Sequence, residues 1–212
     1  MRQIINLIGY PLKHSVSPDF QQAALDYCKL DMRYETWEVN AVHLPSAIDR
    51  LRQPRNLGAN ITVPYKETII DLLDRIDDFA RLVSAVNTVV NSNGRLTGFN
   101  TDATGFLKAL REDAGFEPLD KKVLILGAGG AARAVSFSLL REKVGALIIA
   151  NRSLSKAESL ADALAKYATN SKMRAEISAV QLSSMNLEKV VVPCQLIVNC
   201  TTVGTKYSSD EG

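Results

Sequence analysis

Val123-Leu124-Ile125-Leu126-Gly127-Ala128-Gly129-Gly130-Ala131-Ala132 decides the fold of the second half of the chain. Four apolar residues closed by a glycine read as a buried strand. Gly127–Gly130 reads as a tight turn, and a helical period follows over Ala131–Arg141. The run fits the strand–turn–helix fingerprint G-x-G-x-x-G/A of dinucleotide sites. Gly127 allows the turn, Gly129 lets backbone approach a pyrophosphate, and Ala132 permits close helix–strand packing. Phosphates then meet free N–H groups at the positive end of a helix. Gly127, Ala128, Gly129, Gly130 and Ala131 are therefore candidate cofactor contacts. A glycine turn alone occurs in any α/β protein; the apolar strand before it and the helix after it favour the dinucleotide reading.

Working outward toward the C-terminus, Leu147–Ala150 is the next strand and Ser155–Tyr167 the next helix. Between them lies Asn151-Arg152-Ser153, where NAD sites usually carry an acidic residue for the ribose 2′-hydroxyl. No carboxylate stands here. Arg152 can pair a 2′-phosphate through its planar fork, and Lys156 can add charge, which points to NADP. Lys156 reads equally well as a solvated helix lysine. Leu196–Asn199 is a later strand.

Toward the N-terminus, Ile4–Ile8 reads as a strand and Pro18–Lys29 as a helix, with Ser17 as N-cap. Tyr34–Val39 and Leu57–Val63 read as strands, Leu44–Leu51 as a helix, and Pro64 opens a helix through Leu73. Phe79–Val83 is helical. Val86–Asn91 and Arg95–Phe99 flank Ser92-Asn93-Gly94 as a hairpin, which could form one edge of a sheet. Ala103–Asp113 is the crossing helix, and Gly115–Lys122 a connection. Strands alternating with helices imply parallel sheets covered on both faces. The expected architecture is α/β: an open α/β domain over residues 1–102, then a Rossmann-type domain over residues 103–212.

Ligands in open α/β sheets bind beyond the carboxyl ends of strands. Three polar groups fall there: Ser15 with Ser17; Asn60, Thr62 and Lys66; and Asn87, followed by Asn100-Thr101-Asp102. Ser17 could be a helix cap, Asn87 a turn residue, and Asp102 the N-cap of the next helix. Asn60 and Thr62 share one strand face. Lys66 falls in the first turn of the helix expected from Pro64, where the positive end disfavours a cation and favours the neutral amine. A lysine and an aspartate meeting at a hydroxyl would suit acid–base chemistry.

With 46% hydrophobic and 23% charged residues over 212, the chain has material for ordinary globular cores. A net charge of +2 argues against a dedicated nucleic-acid binder. No apolar run is long enough to span a bilayer, and the start lacks the features of a signal peptide, so a cytoplasmic location is expected. Cys28, Cys194 and Cys200 show no zinc or redox spacing and form no ligand set with His14 and His43, so no metal is expected.

These segments together resemble the shikimate dehydrogenase family. The resemblance is carried by Ile8–Pro18, Gly58–Lys66, Ser84–Thr88, Gly98–Asp102, the Gly127–Ala132 turn and Asn151-Arg152-Ser153, in order along the whole chain. It implies a substrate domain followed by an NADP-binding Rossmann domain, the active site lying in the cleft between them. It implies that Ser15 and Ser17 bind a carboxylate, and that Asn60, Thr62, Asn87 and Asp102 bind ring hydroxyls. Lys66 and Asp102 would form the catalytic pair, in a hydride transfer that reduces 3-dehydroshikimate. Asn199-Cys200-Thr201-Thr202-Val203-Gly204 resembles the family's block near the nicotinamide, placing Thr201 and Thr202 at the cofactor. The family often has Ser at Thr202 and Met at Thr205, and this chain departs from that pattern at both positions. The family normally continues well past Gly212, and on that ground weak or no turnover is expected of this chain, as a monomer or homodimer. Ser17 and Arg152 favour this reading over quinate/shikimate dehydrogenase, and Lys66 with Asp102 over a non-catalytic NADP-binding regulatory module.

Overall fold

The computed structural model describes residues 2–13 and 15–204. His14 and Thr205 lie outside the described residues. Between Thr101 and Asp102 the chain divides into two compact units.

The first unit runs β1 (Gln3–Gly9), α1 (Ser17–Tyr27), β2 (Met32–Glu38), α2 (Leu44–Leu51), β3 (Asn56–Ile61), β4 (Arg75–Ile76), α3 (Asp78–Val83), β5 (Thr88–Ser92) and β6 (Arg95–Phe99). One sheet holds the strands in the order β2-β1-β3-β5-β6-β4. β1 pairs parallel with β2 and β3, but β5 is antiparallel to both β3 and β6, so the sheet is mixed rather than parallel. The turn between β5 and β6 accounts for the second of these reversals. Asn93 and Gly94 both have positive φ, 55° and 85°, as a two-residue primed turn needs, and Asn91 accepts the Gly94 N–H at 2.8 Å. The hairpin is not the edge. The two-residue β4, which sequence reading missed, pairs beyond it.

Two departures bear on the site. The helix expected from Pro64 is absent: residues 62–67 form turns, followed by a short 3₁₀ segment, Thr68–Leu72. The field argument for Lys66 therefore loses its helix. The N-cap of α1 is Val16, not Ser17, which is the first residue of the helix. α2 follows its pattern closely, with Leu44, Ile48 and Leu51 buried at i, i+4 and i+7. They join Ile8, Trp37, Ile61, Tyr65, Ile69 and Leu96 in the main core, while Leu7, Leu12, Leu25 and Tyr34 form a second cluster under α1.

The second unit runs α4 (Asp102–Glu112), β7 (Lys122–Leu126), α5 (Gly130–Arg141), β8 (Ala146–Asn151), α6 (Leu154–Asn170), β9 (Glu176–Gln181), α7 (Ser184–Val191) and β10 (Leu196–Asn199). Its sheet is parallel, in the order β10-β7-β8-β9. Asp102 opens α4 as its first residue rather than standing before it as a cap. Residues 123–125 and 146–150 are buried throughout, the pattern of strands covered on both faces. β9 and α7 were not read from the sequence. β9 is an edge strand with no fully buried residue, and α7 buries none completely, although Leu187, Val190 and Val191 pack against the core beneath it.

Candidate active site

In the first unit the polar candidates gather at one end of the sheet, beyond the carboxyl ends of β1, β3 and β6, where β5 begins. Backbone hydrogen bonds knit these loops together. Tyr10 N–H donates to Val63 O (3.0 Å), Thr62 N–H to Ile8 O (2.9 Å) and Val39 N–H to Gly9 O (3.1 Å). Glu38 accepts the Leu12 N–H (2.8 Å), and buried Tyr65 donates its hydroxyl to Val39 O (2.6 Å). Gly9 is required by packing: a Cβ there would come within 2.4 Å of Thr62 Cγ2.

Asn60 and Asn87 are joined side chain to side chain. Asn60 Nδ2 lies 3.4 Å from Thr88 Oγ1, and Thr88 donates to Asn87 Oδ1 at 2.9 Å. That oxygen also accepts the Thr101 N–H at 2.9 Å, and Asn87 Nδ2 donates to Thr101 Oγ1 at 2.9 Å. Asn87 is held by its backbone too, through Ile61 N–H to Asn87 O (2.8 Å) and Asn87 N–H to Phe99 O (3.0 Å). The Lys66 carbonyl accepts the N–H of Val86 at 2.7 Å, which fixes the lysine's backbone one residue from Asn87. Asp102 follows Thr101 directly in the chain.

The local turn falls to Ser15 rather than to Ser17. Ser15 Oγ accepts the Ser17 N–H at 3.3 Å, so Ser15 has the local turn-forming task, while Ser17 makes no side-chain capping bond. Two further participants escape sequence reading. Thr88 alternates within a strand, and Tyr34, only 9% exposed, reads as core; its hydroxyl donates to Asn60 Oδ1 at 2.8 Å. Burial pushes the Tyr34 phenol up to about 12, so it stays a protonated donor.

In the second unit, Gly127 has φ 110°, a conformation side chains rarely adopt, and its N–H donates to Ala150 O at 2.8 Å. A Cβ on it would meet Cys200 O at 3.0 Å, so the loop after β10 lies against the glycine turn. That loop is closed on itself: Thr201 donates its N–H (3.0 Å) and hydroxyl (2.7 Å) to Asn199 Oδ1, and Asn199 Nδ2 donates to Val203 O (2.9 Å). Thr201 is half-buried and Thr202 exposed. Gly129 is the N-cap of α5 with no side chain to block the approach. The N–H groups of Gly130 and Ala131 belong to the first helical turn, which has no intrahelical acceptors to offer them. Ala132 is fully buried, as close helix–strand packing requires. Asn151 ends β8 and donates to Ser153 O (3.0 Å), fixing the turn that carries exposed Arg152; Lys156 is exposed in the first turn of α6. A backbone cradle with an arginine and no carboxylate in the Asn151–Ser153 turn fits a dinucleotide bearing a 2′-phosphate.

Residues 7–89 match the family model described as shikimate dehydrogenase substrate binding domain, and residues 112–203 match shikimate / quinate 5-dehydrogenase. The chain belongs to the shikimate dehydrogenase family. A shikimate dehydrogenase (NADP(+)) of Methanopyrus kandleri is 40% identical over 208 residues, an alignment covering 98% of this chain and 70% of that relative. Among solved family structures, a shikimate dehydrogenase in complex with NADP+ superposes with a TM-score of 0.85 at 36% identity, over 100% of this chain and 70% of its own. Another, from Thermus thermophilus in complex with NADP(H) and shikimate, gives 0.77 at 35%, over 95% and 69%. The chain pairs an N-terminal mixed sheet with a parallel Rossmann-type sheet. Among the described residues no helix is long and apolar enough to cross a membrane, and no group of three His, Cys, Asp or Glu side chains could hold a metal.

Proposed function

We propose that the chain catalyses the reversible, NADP-dependent reduction of 3-dehydroshikimate to shikimate in the cytoplasm. The observation that carries the reading is the hydrogen-bonded series Asn60–Thr88–Asn87–Thr101, at the end of the first unit's sheet where the Lys66 backbone is anchored. Such a surface suits a small anion rich in hydroxyls, because unpaired polar groups reject analogues that lack them.

Ser15 and Ser17 take the substrate carboxylate. Asn60, Thr62, Asn87 and Asp102 take ring hydroxyls. Lys66 and Asp102 handle the proton that joins the new C3 hydroxyl oxygen. NADPH, when bound, supplies the hydride that goes to C3. Gly127, Ala128, Gly129, Gly130 and Ala131 hold its pyrophosphate, Asn151, Arg152 and Lys156 its adenosine ribose phosphate, and Thr201 and Thr202 lie toward the nicotinamide.

The test is nicotinamide absorbance with shikimate and NADP⁺, run beside quinate and NAD⁺ controls. Saturable, shikimate-dependent NADP⁺ reduction is expected. Tight NADP⁺ binding with neither shikimate binding nor turnover would move the chain to the regulatory reading. Preference for quinate would assign the site to that substrate.

A further inference from the structure

We infer that Tyr34 and Thr88 are positioning residues that fix Asn60 as a hydrogen-bond donor toward the substrate. The inference rests on Asn60 being a substrate contact, as proposed above.

The direction of the network follows from one backbone group. The Thr101 N–H can only donate, so the Asn87 side-chain atom 2.9 Å from it is the oxygen. Thr88 Oγ1 lies 2.9 Å from that oxygen and must give it its single proton. Having spent its proton, Thr88 Oγ1 can only accept from Asn60, so Asn60 turns its amide nitrogen toward Thr88. The Asn60 oxygen then faces the Tyr34 hydroxyl at 2.8 Å, which donates to it. The Thr101 hydroxyl lies 3.4 Å from Thr88 Oγ1 and 3.1 Å from Asn87 Oδ1 and can donate to either without changing this direction, whereas reversing Asn60 alone would set its oxygen against a hydroxyl oxygen without a proton to share. The second Asn60 N–H is thereby directed as a donor. Its partner on the ligand is an oxygen lone pair, that of a ring hydroxyl or carbonyl.

Tyr34 serves this role from the core. Its ring packs with Leu7, Leu12 and Leu25 beneath α1, so its hydroxyl is presented by a side chain that cannot swing away. Gln22 Oε1 also accepts the Tyr34 N–H at 2.9 Å, which ties the residue's backbone to α1.

A double-mutant cycle on the full chain tests this, with shikimate affinity read by calorimetry and NADP⁺ affinity and thermal midpoint measured alongside. Tyr34→Phe is expected to weaken shikimate binding about 5-fold, the loss of one net hydrogen bond, with NADP⁺ affinity unchanged. Thr88→Val, which leaves the Tyr34 packing intact, should act in the same direction. In an Asn60→Ala background both should have no further effect beyond about twofold, the ordinary additivity error. Asn60→Asp, which keeps the shape and removes the donors, should bind shikimate no better than Asn60→Ala. Full additivity of Tyr34→Phe with Asn60→Ala would make Tyr34 merely structural and overturn the inference. Loss on Asn60→Ala without loss on Tyr34→Phe or Thr88→Val would overturn it while sparing the substrate reading. Unchanged shikimate binding in Asn60→Ala would overturn both.

Discussion

Arg152 and Lys66 carry different chemistry, and their variants should separate accordingly. Arg152 is exposed on a turn fixed by the Asn151–Ser153 hydrogen bond, so its loss should cost contact and not fold. Arg152→Ala should weaken NADP⁺ binding by roughly 10- to 150-fold, the equivalent of about 1.5–3 kcal/mol for one hydrogen bond to a charged group. NAD⁺ binding should be unchanged, since only the 2′-phosphate is addressed; equal losses for both cofactors would place Arg152 elsewhere on the dinucleotide. Lys66→Ala removes a proton-handling group whose backbone stays pinned to Val86. It should lower kcat by about 10²–10⁴-fold while leaving NADPH affinity alone. Retained kcat would take the lysine out of the proton transfer.

Single elements show why some of the site could be read in the sequence and some could not. The glycine turn was legible because its chemistry is local: strand, turn and helix start lie within Val123–Ala132, and backbone conformation alone demands glycine at Gly127. α2 was legible because Leu44, Ile48 and Leu51 repeat at helical spacing. The segment after Pro64 was not, since its short apolar run packs Tyr65 and Ile69 into the core without completing an α-helix. Tyr34 was hidden for another reason: its partner Asn60 lies 26 residues away, and only strand order brings β2 within reach of β3 across β1. Arg52 shows the same long-range logic in a structural role. It pairs with Asp74 and donates to Gly94 O (2.9 Å) and Leu72 O (3.3 Å), while Asp74 also accepts the Leu96 N–H (2.6 Å), so the two residues clamp the hairpin to the chain before β4. The Arg52 hydrogen bond first, then the Leu96 N–H, hold the Asp74 carboxyl below its ordinary range. A carboxylate depressed in the folded state stabilises above its unfolded pKa, about 4, and that contribution fades as pH falls through the folded value. Asp74→Asn should therefore lower the thermal midpoint at neutral pH, with the gap from the parent closing below about pH 4. A gap that stays constant down to acid pH would show that shape, not charge, makes the clamp.

At the scale of the molecule, the sequence divides its tasks between two units whose sheets arise differently. The first uses a hairpin to reverse one strand and bring Asn60, Thr88, Asn87 and Thr101 to one sheet end. The second repeats parallel strand–helix steps and sets the N-terminus of α5 behind Gly127 and Gly129. Ligand linkage should respect that division. A ligand at 100 times its Kd stabilises the state that binds it by about 2.7 kcal/mol, and hydrogen exchange localises where protection arises. NADP⁺ alone should slow exchange most at the amides of residues 127–133 and 151–156. Shikimate alone should slow it at residues 15–17, 60–66, 87–88 and 101. The reading of Gly127–Ala131 as the pyrophosphate cradle fails if saturating NADP⁺ leaves the amides of residues 127–133 exchanging at the rate of the free protein. Their protection together with unchanged exchange at Asn151–Lys156 would keep the cradle and remove the 2′-phosphate contact, which is the part of the cofactor site that rests on side chains rather than backbone.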